Sequence, residues 1–174
     1  MICPDCTHDN IDGVDDCAAC GQPLVLLDPA GGELEQSITR HTIAVLCPKT
    51  PLTVTTTMPT SDALALMVEH NVGCLLIVDD HNSLTGIFSE RDVLTHVSSN
   101  PESQARSVVA YMTEQPVTAR QDDSIAFALH AMHVGGYRHL PIVDEAGCPQ
   151  GIVSVRDILR FICVRFGELR STQG

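Results

Sequence analysis

The chain has 174 residues, enough for one or two compact domains with a real buried core, and 44% of it is hydrophobic. Ten Lys and Arg stand against 22 Asp and Glu, for a net charge of −12. A nucleic-acid surface typically recruits roughly 6–10 basic contacts to phosphate, which would consume nearly every base here, so generic nucleic-acid binding is not expected. No apolar run reaches the ~18 residues of a membrane span, and "MICPDC" opens directly on a cysteine motif, so a cytoplasmic protein without a signal peptide or membrane contact is expected. A small anionic ligand remains compatible with the charge, because screening over ~8 Å separates a local basic pocket from distant acids.

Four of the eight cysteines lie in the first 20 residues. Cys3, Cys6, Cys17 and Cys20 form C-x2-C-x10-C-x2-C, and two such pairs supply the four thiolates of a closed tetrahedral zinc site. The segment has few large apolar residues (Ile2, Ile11, Val14, Leu24), so a structural metal would supply the folding energy that its core lacks. "CPDC…CAACGQPL" resembles the short zinc ribbons at the N-termini of many prokaryotic proteins, with Gly21 after the second pair as in that family. Thr7 replaces the glycine common after the first pair, and Asp16 replaces the aromatic residue often found before the third ligand. Redox-active or unpaired thiols are the alternative; a catalytic zinc is disfavoured because four thiolates leave no open position. His8 between the pairs reads as a solvent-exposed loop residue. Residues 1–27 are assigned to the ribbon, and 28–41, with Pro and two glycines, to a loose linker that ends in a short helix.

"GIFSERDVL" at 86–94 returns as "GIVSVRDIL" at 151–159, and the same 65-residue step from Gly86 to Gly151 aligns 42–95 with 107–160 without a gap. Duplication on this scale precedes any assignment of fold. Each copy begins with an extended piece, "PLTVTT" or "PVTAR", followed by a helix with apolar spacing of three and four, "SDALALMVEH" or "DSIAFALHAMHV". Ser61 and Asp123 are the predicted N-caps. Two strands follow ("GCLLIVDD" and "TGIFS"; "YRHLPIVDEAG" and "QGIVS"), and a helix starting near Arg91 or Arg156 closes the copy. The near-continuous apolar strands predict a sheet covered by helices. The first copy is placed at 42–98, a linker at 99–106, the second copy at 107–167 and a tail at 168–174.

A strand that ends in Ser and turns into a helix three residues before Asp puts two oxygen-bearing side chains at one edge. That arrangement serves either to cap the helix or to bind a ligand. Elsewhere, His130 and His133 read as solvent-exposed and Cys47, Cys74 and Cys163 as small core residues, with no catalytic motif in view.

The order of elements and the paired motifs resemble the CBS domain, and two in tandem resemble a CBS pair, or Bateman module: an α+β fold of two β-α-β-β-α repeats. The resemblance implies a non-catalytic regulatory protein that binds an adenosine nucleotide or an adenosyl ligand (the class of AMP, ADP, ATP and S-adenosylmethionine). It implies Asp92 with Ser89, and Asp157 with Ser154, as contacts to ribose and phosphate. Thr53, Thr55, Thr118 and Arg120 would lie beside the base, and Ile87 and Ile152 would form an apolar wall. Arg138 and His139, at a position where related modules hold phosphate, are replaced in the first copy by Gly73 and Cys74, which predicts one good cavity and one poor one. It also implies a homodimer, while the ribbon is a candidate contact for a protein partner. A ligand-free dimerisation scaffold is the alternative.

Overall fold

The computed structural model describes residues 2–3, 5–11, 14–22, 24, 33–97 and 101–172. In chain order, the cysteine-bearing segment is followed by α1 (Glu33–Arg40), β1 (Thr53–Thr55), α2 (Thr60–Glu69), β2 (Cys74–Val78), β3 (Leu84–Ser89) and α3 (Glu90–His96). Then come α4 (Pro101–Ala105), β4 (Thr113–Glu114), α5 (Ile125–Gly135), β5 (His139–Val143), β6 (Pro149–Ser154) and α6 (Val155–Thr172). Residues 28–32 of the expected linker lie outside the described residues, while α6 runs on into the stretch expected as a tail. The chain forms two compact units. One comprises residues 48–120 and 139–152; the other comprises 1–47, 121–138 and 153–174.

The first of these units is built on a sheet in the order β1-β2-β3-β4. β1 runs parallel to β2 in the register Val54↔Ile77, and β3 is antiparallel to both β2 and β4. All five residues of β2 are buried, and their alternation sorts them into two apolar layers. Leu75 and Ile77 pack with Ala63, Met67, Phe88 and Val108, while Cys74 and Leu76 pack with Ile87, Leu84 and Ile152. A strand buried on both faces has no need of polar alternation, which is why "CLLIV" is uninterrupted. Each fully buried Leu, Ile or Phe contributes about 1.5–3 kcal/mol.

The duplication is visible in small details. The bridge Ala119↔Ile142 repeats Val54↔Ile77 one 65-residue step later, although it is all that remains of the strand expected at "PVTAR". Asp79 Oδ1 accepts from the backbone N–H groups of His81 and Ser83 at 2.9 and 2.8 Å. Asp144 Oδ1 accepts from those of Ala146 and Cys148 at 3.0 and 2.9 Å. Both turns between paired strands are thus tied by the same carboxylate.

In the other unit, α1 packs against α5 and α6. The caps differ from the expected ones. Ser124, not Asp123, caps α5, its Oγ accepting from Phe127 N at 3.0 Å. α2 begins at Thr60 with Pro59 as its N-cap, two residues ahead of the expected Ser61, and the Thr60 N–H and hydroxyl both donate to Arg106 O at 2.8 Å. His133 is exposed as expected, but His130 is half-buried, and its Nε2 is shielded from solvent with no hydrogen-bond partner among the described residues. Cys74 is a core residue, whereas Cys47, the residue that ends a short helical turn at Ile43–Leu46, and Cys163 on α6 are exposed.

Candidate functional site

The two Ser–Asp motifs have the same local geometry. Ser89 ends β3, and its backbone N–H and hydroxyl donate to Asp92 Oδ2 at 2.8 and 2.6 Å. Ser154 ends β6 and does the same to Asp157 Oδ2 at 2.8 and 2.5 Å. Each carboxylate therefore caps the first turn of its helix, where negative charge also complements the helix dipole. The copies differ in exposure. Asp92 is buried, at 6% exposure, with the Thr113 hydroxyl 3.4 Å from its other oxygen, while Asp157 is half-buried.

Within the unit of residues 48–120 and 139–152, Ile87 and Ile152 join one apolar cluster, as expected of a shared wall. Thr53 and Thr55 are exposed on the outward face of β1 to either side of buried Val54. Thr118 and Arg120 flank buried Ala119 in the same way, and Arg120 reaches Glu145 at 3.6 Å. His139 lies against the first copy: a Cβ on Gly73 would stand 3.0 Å from His139 Cε1 and 3.5 Å from Glu90 Cδ. The glycine at 73 thus makes room for the imidazole. Arg138 is exposed and, with Ser154 and Asp157, belongs to the other unit. Beside Gly73, the buried Cys74 thiol is pushed up to about 12 by burial and by the charges of Glu90 and Asp92.

At the N-terminus the four sulfur atoms of Cys3, Cys6, Cys17 and Cys20 lie within 4.8 Å of one another, with Cys3–Cys20 and Cys6–Cys17 at 3.6 Å. Zinc–sulfur bonds of about 2.3 Å in a tetrahedron need sulfurs about 3.8 Å apart, so the cluster fits a metal ion of that kind. Two equivalent turns build it. Thr7 N donates to Cys3 O and Gly21 N to Cys17 O, at 2.9 and 2.8 Å, with Thr7 and Gly21 both at positive φ. Leu24 and Val14 pack on Cys3 and Cys17, whereas Ile2 and Ile11 face solvent, as does His8.

Asn10 carries no ligand pattern in the sequence, yet it is buried between the turns. Its amide donates to His8 O at 3.0 Å and to Cys17 Sγ at 3.5 Å, while its carbonyl accepts from Ala18 N at 2.9 Å. Burial opposes ionisation of Cys17, but backbone N–H groups of Cys20 and Ala19 and the Asn10 amide lower its thiol to about 6. Cys20 accepts from Gln22, which favours its thiolate, but desolvation and the neighbouring thiols push it up to about 12. Metal binding takes thiolates, so loading the cluster would release protons.

The fold and the twice-built motif define a tandem-repeat module of the α+β class. The CBS domain family matches residues 44–99 and 105–164, and the chain belongs to that family, with two copies. It is 37% identical over 100 residues to an uncharacterized 17.7 kDa protein of Acidianus ambivalens, covering 58% of this chain and 60% of that one. It is 35% identical over 111 residues to an uncharacterized protein of Methanopyrus kandleri, covering 62% and 57%. The matches thus span less than two thirds of either relative. A CBS domain pair solved in complex with 5′-methylthioadenosine and S-adenosyl-L-methionine superimposes with a TM-score of 0.65 at 25% identity, over 72% of this chain and 98% of the other. Among the described residues, no helix is long and apolar enough to cross a membrane.

Proposed function

We propose that the chain is a non-catalytic sensor in which the CBS pair binds an adenosine nucleotide or adenosyl ligand and a structural zinc ion organises the N-terminal cysteines. The observation that carries the reading is the inequality of the two motifs. Asp92 is sealed beneath Thr113, whereas Asp157 keeps part of its surface in solvent, where ribose hydroxyls can add to the hydrogen bonds it already accepts from Ser154. The S-adenosyl-L-methionine and 5′-methylthioadenosine held by the CBS pair described above support the same ligand class. Ser154, Asp157 and Arg138 in the one unit are the residues proposed to contact ligand at the more open motif, and Thr118, Arg120 and Ile152 in the other unit are proposed as ligand contacts of the second repeat. Ser89, Asp92, Thr53, Thr55 and Ile87 are their counterparts in the first repeat, and His139, packed beside Gly73, is proposed as a phosphate contact. The zinc would be held by Cys3, Cys6, Cys17 and Cys20 and would fix the two turns without reacting. Homodimerisation through the CBS domains, a protein partner for the ribbon and residence in the cytoplasm complete the proposal.

A thermal-shift series with AMP, ADP, ATP and S-adenosylmethionine tests the ligand. A compound at 100 times its dissociation constant adds about 2.7 kcal/mol, and Asp157→Ala should abolish that gain. Indifference of the wild type to all four compounds favours the dimerisation scaffold instead.

A further inference from the structure

The two motif helices are unequal in length as well as in setting. α3 has 7 residues and stops at His96, whereas α6 has 18 and continues to Thr172. Phe161 stands one repeat step from His96, the last residue of α3, and the added turns carry Arg165 and Glu168; Phe161 and Arg165 meet His41 at the end of α1. Arg165 Nη2 lies 2.7 Å from His41 Nε2, and Arg165 Nη1 donates to Glu168 Oε2 at 2.9 Å. The His41 ring stands edge-on to Phe161, with centroids 5.4 Å apart, and the guanidinium carbon is 5.7 Å from the centre of the Phe161 ring.

Donor chemistry fixes the state of the imidazole. A guanidinium only donates, so Nε2 must offer its lone pair to Arg165. Nδ1 lies 2.7 Å from the carbonyl oxygen of Ser37, which only accepts, so Nδ1 carries the proton. The same carbonyl takes the His41 backbone N–H at 3.0 Å and so closes the last turn of α1. Both ring nitrogens are used, one on the helix that His41 terminates and one on α6. Backbone bonds from Ile125 N to His41 O and from Ile43 N to Asp123 O, at 2.9 and 2.8 Å, fix where the chain leaves α1. They leave the direction of the helix to the side chains.

We infer that His41 and Arg165 form a latch that holds α1, the helix through which the cysteine-bearing N-terminus joins the rest of the chain, onto the extension of α6. The second motif thereby has a connection to the N-terminus that α3, ending at His96, does not supply. Ser154 and Asp157 start the helix whose far turns grip α1, so one continuous element carries both the motif and the anchor. The latch stands without a ligand; its use in reporting a ligand to the ribbon rests on the sensor reading above.

Hydrogen exchange on the full zinc-loaded chain tests it. His41→Phe keeps a ring against Phe161 and loses the acceptor, Arg165→Met loses the donor, and His41→Gln restores an acceptor. Amides of 34–41 should exchange about tenfold faster in the first two variants and return towards wild type in the third. Amides of α2 and β2 should stay unchanged, which certifies that the variants fold. Exchange at 34–41 within twofold of wild type in both Arg165→Met and His41→Phe overturns the latch, and so does His41→Gln as labile as His41→Phe. The same measurement with saturating S-adenosylmethionine separates the two ideas. A ligand that never binds sinks the sensor and leaves the latch to be decided by the variants, whereas a ligand that binds should alter exchange at 34–41 in the wild type and not in Arg165→Met. Equal alteration in both would overturn the latch as the route.

Discussion

Pro48 fills the space above Gly151 in which any other residue would place its Cβ, with the Pro48 Cβ 2.7 Å from that position. Met112 lies over Gly86 in the same way. Each motif strand is therefore crossed by the segment that leads into the other repeat, through Lys49↔Ile152 in one case and Thr113↔Ile87 in the other. The glycine that opens both motifs is a requirement of this crossing rather than of a ligand. Alanine at either position overpacks the crossing, at a cost of about 1–3 kcal/mol. A methionine side chain can swing aside and a proline ring cannot, so Gly151→Ala should cost more than Gly86→Ala. Urea unfolding of the two variants checks the order, and equal midpoints would refute the crossing as the cause.

The Ser–Asp pairs lead to a second comparison. Removing an N-terminal cap typically costs about 0.5–2 kcal/mol. Asp157→Ala should fall in that range, because water can reach the groups it leaves behind. Asp92→Ala leaves the Ser89 N–H and hydroxyl facing the space of a buried carboxylate and should cost more. Melting of the two variants without ligand gives the order, and a larger loss for Asp157→Ala would contradict it.

Where the sequence repeats itself or spaces its ligands regularly, it was enough. The 65-residue step carried the β pairing at Val54 and Ala119 and the turns at Asp79 and Asp144, because equal side chains at equal positions made equal bonds. The cysteine spacing named the four sulfurs that gather. What escaped were the pairings with no local signature. His41 and Arg165 are far apart in the chain and neither belongs to a pattern, and Asn10 is a small polar residue whose importance lies wholly in its burial between two turns. The cap of α5 slipped by a position for a related reason: neighbouring Asp123 and Ser124 are both good caps, and only the chain path chooses between them.

Loss of metal should be local. Zinc analysis of chain purified without chelator should return one ion, and stripping it should abolish the structured signals of the turns at Cys3–Thr7 and Cys17–Gly21 while the sheet around β2 persists. The cluster has too small a core, essentially Leu24 and Val14, to stand without it. Asn10→Ala removes an orienting bond to Cys17 and the tie to Ala18 and should weaken zinc binding about 10–100-fold in a chelator competition. Retention as in wild type would mean that the backbone turns alone set the site.

Cys74 should make stability fall at alkaline pH. Its thiol ionises near 12 in the folded chain, against an ordinary value near 9. Below about pH 9 both states keep the proton and no dependence arises. Between 9 and 12 only the unfolded chain releases it, so the folded state binds more protons and loses stability as pH rises. Cys74→Val removes the group, and its stability relative to wild type should improve by about 1 kcal/mol between about pH 8 and pH 10. A difference that is flat across that range would show that the thiol titrates normally.

Thr7 and Gly21 occupy equivalent corners of the two cysteine turns, at φ of 57° and 72°. This left-handed region suits glycine and strains a β-branched residue, typically by about 1–2 kcal/mol. Nothing stands within 4 Å of a Cβ placed on Gly21, so the corner itself has room and the penalty there is purely one of backbone conformation. Exchanging the residues should therefore have opposite effects. Thr7→Gly gives up a 2.7 Å hydrogen bond from its exposed hydroxyl to Cys6 O, a small loss beside the strain it relieves. It should slow zinc release about fivefold, the equivalent of about 1 kcal/mol. Gly21→Ala should speed release by a similar factor. Stopped-flow transfer of zinc to a chromophoric chelator measures both rates, and a Thr7→Gly variant that releases zinc faster than wild type would show that the hydroxyl, not the backbone, governs the first turn.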